Sequence, residues 1–110
     1  MAYITDYISS HDPRTFYAKL KKEKVGALYA FGSGLRSETP NDIDLLIEVE
    51  NEDPLERGES LLNLWDYFES YFKKKVDLLT PNSLKNPYIK EEIEKTKKLI
   101  YAKEQQGVFT

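Results

Sequence analysis

Asp42, Asp44 and Asp77 are the side chains of this sequence whose placement best suits chemistry. Asp42-Ile43-Asp44 opens the apolar run Leu45-Leu46-Ile47, and Asp77 interrupts Val76-Asp77-Leu78-Leu79. In a strand, residues two apart share a face, so Asp42 and Asp44 are expected to point the same way. Asp77 sits where a strand normally carries an apolar or β-branched residue. Paired beside the Asp42–Asp44 strand, it would join them on that face. Like charges held this close repel, and a shared proton or a divalent cation relieves them. Three carboxylates from two strands can hold two magnesium ions, an arrangement suited to phosphoryl displacement. The third can instead act as a base toward an attacking hydroxyl. The turn Gly32-Ser33, which ends the apolar run Val25 to Phe31, can offer backbone N–H groups and a hydroxyl to a phosphate. Each feature alone has an ordinary explanation as a polar strand edge or a simple turn. Their order and spacing point to metal-assisted chemistry on a nucleotide.

The surrounding pattern supplies elements to position these groups. Asp12-Pro13 starts a helix to about Lys24, with Phe16, Tyr17 and Leu20 inward. Val25 to Phe31 is short, apolar and closed by glycine, and is expected to be a buried strand. Ser33 to Ser37 is expected to form one helical turn and Glu38 to Asn41 a loop, before a strand from Asp42 to Val49. Asp53-Pro54-Leu55-Glu56 combines an N-cap, a first-position proline and a capping-box glutamate. The helix it opens runs to about Lys73, with Leu61, Leu64, Trp65, Phe68 and Phe72 as the core stripe. Val76 to Leu79 makes a third strand, stopped by Thr80-Pro81-Asn82. Asn86-Pro87 opens a last helix to about Lys97, supported by Glu91–Lys95 and Glu94–Lys98 pairs. Leu99 to Tyr101 is expected at a sheet edge. Helices alternating with strands indicate an α/β or α+β class, a small mixed β-sheet covered by helices.

The length of 110 residues suits one domain, residues 1–110, with a polar tail from about residue 103. The longest apolar stretch is too short to span a bilayer, no leader pattern is seen, and there is no cysteine. A cytoplasmic protein with no membrane association is expected. Charge is strongly segregated: residues 37–72 carry eleven acidic side chains and one basic, while the flanking segments are net basic. An acidic centre opposes non-specific nucleic-acid binding and tolerates a cation. His11, the single histidine, falls in a polar loop and is expected to be a surface residue.

The run FGSGLRSETPNDIDLLIEVE followed by KKVDLLTPNSL resembles the minimal nucleotidyltransferases of the DNA polymerase beta-like superfamily, over roughly Val25 to Tyr101. The resemblance implies a nucleotidyltransferase palm fold. Gly32 and Ser33 match the Gly-Ser that cradles a triphosphate, and Arg36 matches an arginine near the phosphates. Asp42 and Asp44 match the two metal-binding aspartates, and Asp77 the third carboxylate. It further implies ATP as substrate and Mg2+ as cofactor, two ions with Mn2+ as a substitute. The reaction implied is AMP transfer to a protein, with a tyrosine of a HEPN-domain ribonuclease toxin as acceptor and this chain as antitoxin. That toxin type uses an arginine closely followed by a histidine, whereas His11 here precedes every arginine. The loop from Ser33 to Asp42 is shorter than in many of these proteins, and Ser37 replaces a common glycine. Two rival readings are a binding antitoxin with a vestigial site, and nucleotidyl transfer to a small molecule or RNA end. Homo- and hetero-oligomers are both compatible with the sequence.

Overall fold

The computed structural model describes residues 4–32 and 42–103. The element order is α1 (Ile4–Ser10), α2 (Pro13–Lys22), β1 (Val25–Phe31), β2 (Asp42–Val49), α3 (Pro54–Phe72), β3 (Lys75–Leu79), a 3-10 turn (Pro81–Ser83), α4 (Pro87–Thr96) and β4 (Lys98–Ala102). The sheet order is β3-β2-β1-β4. β1 runs antiparallel to β2 and β4, while β2 and β3 are parallel. A parallel pair needs a crossover, and α3 supplies it. The expected class, a small mixed sheet with helices, is therefore the observed one, and β4 is an edge strand.

One sheet face makes the core. Ile43, Leu45 and Ile47 of β2 and Val76 and Leu78 of β3 are buried, and cluster with Leu64, Phe68 and Phe72 of α3 and Phe16 and Leu20 of α2. Alternation does this: Asp44 and Asp77, between them, are only half-buried, whereas Leu46 on the same face as the aspartates is buried as well. Asp53 caps α3 by accepting from the Leu55 N–H at 3.0 Å. A capping box needs the Glu56 N–H instead, so the expected reciprocal pair does not form.

The structure departs from the sequence reading in three further places. α1 has no clear sequence signature, yet Ile4 and Ile8 are fully buried. Trp65 is not a core residue: it is 39% exposed, and its indole N–H donates to the Val76 carbonyl at 2.7 Å. Glu69 accepts from the Val76 N–H at 3.0 Å. Together these two side chains satisfy the outward-facing backbone of Val76 on the β3 edge, which would otherwise invite pairing with another chain. Lastly, Glu94 bonds Lys97 at 3.0 Å rather than Lys98, which already belongs to β4, whereas Glu91–Lys95 forms at 3.3 Å as expected.

Aromatic rings fasten α1 and α2 to α3. Tyr71 lies 4.8 Å from Phe16 and 5.6 Å from Tyr7 between ring centroids. The Tyr7 hydroxyl donates to the Tyr71 carbonyl at 3.0 Å, and the Tyr71 hydroxyl donates to the His11 carbonyl. His11 is exposed, as expected, and stacks on Tyr7. Burial, followed by the neighbouring Tyr67, Tyr7 and Tyr17 phenols and Asp12, pushes the Tyr71 phenol up to about 12. A phenol raised above its unfolded value of 10.0 stabilises the fold fully below pH 10 and loses that contribution as pH climbs toward 12. Urea denaturation is therefore expected to show stability falling steeply over that window. Tyr71→Phe should be less stable near neutrality, for want of the His11 bond, and show a shallower alkaline decline.

Candidate active site

The site is set by strand register. Asp44 and Asp77 are direct partners across the parallel β2–β3 pair, with Ile43 opposite Val76 and Leu45 opposite Leu78. Partners in register share a face, so the two aspartates stand side by side on the face away from the main core. Asp42 lies two residues earlier on the same face of β2, opposite Lys75. The register thus sets Asp44 beside Asp77 and leaves Asp42 on the same face, two residues away along β2.

The end of β1 closes on the same spot. Phe31 is the partner of Asp44, and Gly32 follows with φ +53°. A Cβ on Gly32 would lie 3.1 Å from the nearer Asp44 carboxylate oxygen. Two features favour glycine here: a left-handed backbone that L-residues adopt at a cost, and an Asp44 carboxylate that a Cβ would push back by a few tenths of an ångström. Ser33 and Arg36, the other proposed phosphate-binding residues, lie outside the described residues, as does the rest of the 33–41 loop with its expected helical turn.

A cation missed by sequence reasoning shares the aspartate face. Tyr29 pairs with Leu46, two residues beyond Asp44, and therefore lies on that face. The Lys97 ammonium sits over the Tyr29 ring, 4.2 Å from its centroid, and bonds Glu94 at 3.0 Å. In the sequence Lys97 is simply the end of a helix. Only the fold of α4 and β4 onto β1 brings it to Tyr29.

The donor set fits a hard cation: three carboxylates, oxygen ligands throughout, on two adjacent rigid strands. Among the described residues, no three His, Cys, Asp or Glu side chains already converge on one ion position. A separate cavity of about 410 Å³, lined by Lys21, Lys24, Val25, Glu50, Tyr101 and Lys103, opens at the start of β1. It lies at the opposite end of that strand from Gly32 and has no part in this site.

The "Polymerase beta, Nucleotidyltransferase" family model matches residues 16–106. The chain belongs to this nucleotidyltransferase family. It is 37% identical over 81 residues to the "Putative protein adenylyltransferase MJ0126" of Methanocaldococcus jannaschii, covering 74% of this chain and 80% of that protein. It is 42% identical over 84 residues to the "Putative protein adenylyltransferase MJ0128" of the same organism, with the same coverages. Among solved structures, the fold resembles a chain of a tri-AMPylated Shewanella oneidensis HEPN toxin in complex with MNT antitoxin. That match has TM-score 0.52 and 21% identity, covering 86% of this chain and 73% of the other. A toxin–antitoxin structure with AMP-PNP matches with TM-score 0.53 and 20% identity, covering 86% and 77%. The palm fold of the nucleotidyltransferase thus agrees with its sequence family.

Gly32→Ala tests the tight junction of β1 and β2. It should destabilise the nucleotidyltransferase by about 1–2 kcal/mol, the usual cost of left-handed backbone with a Cβ, and displace the Asp44 carboxylate. Urea denaturation reads the first effect. A loss below about 0.5 kcal/mol would mean the turn relaxes without strain.

Proposed function

We propose that this chain is a protein adenylyltransferase, transferring AMP from ATP to a tyrosine of a HEPN-domain ribonuclease toxin and thereby acting as its antitoxin. The observation that carries the reading is the register of Asp44 against Asp77, beside Gly32, in a chain of the nucleotidyltransferase family. The names of its Methanocaldococcus relatives and the HEPN complexes of like fold support the protein acceptor. No helix of the described residues is long and apolar enough to cross a membrane.

In this reading Gly32 and Ser33 present backbone N–H groups and a hydroxyl to the triphosphate, with Arg36 adding charge beside it. Asp42, Asp44 and Asp77 would hold magnesium, which supplies positive charge against the triphosphate and the departing pyrophosphate. Asp77 would take the proton of the tyrosine hydroxyl as its oxygen bonds the α-phosphorus. The bond from the α-phosphorus to the bridging oxygen breaks, and pyrophosphate leaves. With the three carboxylates on one face of two paired strands, little reorganisation would remain for the reacting complex.

Two measurements test this. Calorimetry should find ATP bound well with magnesium and at least about tenfold more weakly without it; equal binding in both conditions would remove the metal from the site. Incubation with ATP, magnesium and the HEPN-domain partner should add one or more AMP units to the partner, read by mass spectrometry. Asp77→Asn should add none while still binding it. If neither protein modifies the partner yet both silence its nuclease equally, the chain acts by contact alone.

A further inference from the structure

We propose that the outer face of α3 is the docking surface for the protein partner, and that the partner meets it with an apolar face rimmed by lysine and arginine. This rests on the partner reading above and extends it to a surface. Leu55 is 78% exposed, Leu62 68% and Trp65 39%, although α3 already buries Leu64, Phe68 and Phe72 on its other side. Residues 55, 58, 62 and 65 recur at the spacing of one helical stripe. The stripe is therefore a second apolar face, and nothing in the described chain covers it.

Gly58 is a second, independent sign. It lies within α3 and in the stripe, where glycine weakens a helix relative to alanine. A Cβ there would meet nothing within 4 Å, so packing inside this chain does not require glycine. Its missing side chain leaves a notch between Leu55 and Leu62, suited to a knob from a facing surface. Trp65 is held by its bond to the Val76 carbonyl, so this anchor is ordered in advance and loses little freedom on binding.

Charge selects the occupant. Exposed Glu59 and Asp66 lie beside the stripe. The basic residue of the helix, Arg57, is turned away and donates to the Asn51 carbonyl at 3.0 Å. A second copy laid on this face would set acid against acid, whereas a basic-rimmed partner gains complementary contacts. A ribonuclease, which must attract a polyanion, is a protein of that character.

The test is calorimetric titration of the HEPN-domain ribonuclease into wild type, Leu62→Lys and Gly58→Gln, at low and high salt. Both substituted positions face outward, so folding should survive, and Gly58→Gln should raise the melting temperature. Each variant should bind about tenfold or more weakly, and wild-type affinity should fall with salt. With the chain's one tryptophan supplied as 5-fluorotryptophan, its fluorine resonance should shift in the complex. Wild-type affinity in both variants, no wild-type binding, or a wild-type dimer dissolved by Leu62→Lys would each overturn the proposal. Binding that depends on Leu62 without any AMP transfer would sink the adenylyltransferase reading and keep the surface. Transfer and binding that both survive Leu62→Lys would do the reverse.

Discussion

Parallel pairing of β2 with β3 places Asp44 beside Asp77, and the other features of the site are arranged around that pair. The pairing sets like charges together, so the strands themselves would not choose it. What chooses it is the opposite face, where Ile43, Leu45 and Ile47 line up with Val76 and Leu78 beneath α3. A slip of one residue would turn Asp77 into the core and Val76 out to solvent. Burying an unpaired carboxylate costs far more than the repulsion between two partly solvated ones. The core thus enforces the side-by-side placing of the two carboxylates.

Packing by α3 fixes the same register from a second direction. Leu64 and Phe68 press on the sheet, while Trp65 and Glu69, one residue further round at each turn, hold the backbone of Val76. One helix therefore sets both the depth of β3 and its position along its own axis. It also satisfies part of an edge that β2 leaves bare. The aromatic layer of Tyr7, Phe16 and Tyr71 ties α1 and α2 to this helix, so the N-terminal helices support the site without touching it.

Other groups meet the aspartates on their face of the sheet. Gly32 approaches Asp44 closely, and Lys97 reaches the same face over Tyr29. The acidic run of residues 37–72 continues onto α3, where it lies beside an apolar stripe.

Local chemistry made much of this readable in advance. β1 and β2 have the predicted bounds, because an apolar run closed by glycine and an alternating run opened by Asp42 each admit one reading. Proline at the first helical position likewise marked the starts of α2, α3 and α4. The carboxylates, Gly32 and the family pattern were legible because they depend on residue type and spacing. α1 was not, since a helix of seven residues is held by packing rather than by its own propensity. Periodicity assigned Trp65 to the core, but a large ring at the border of an apolar stripe can as well lie over a strand edge. Lys97 beside Tyr29 and the docking of α1 on α3 belong to tertiary structure alone, as does the β2–β3 register on which the expected meeting of Asp44 with Asp77 depended. Each joins residues far apart in the chain, and only burial of the shared core determines which of them meet.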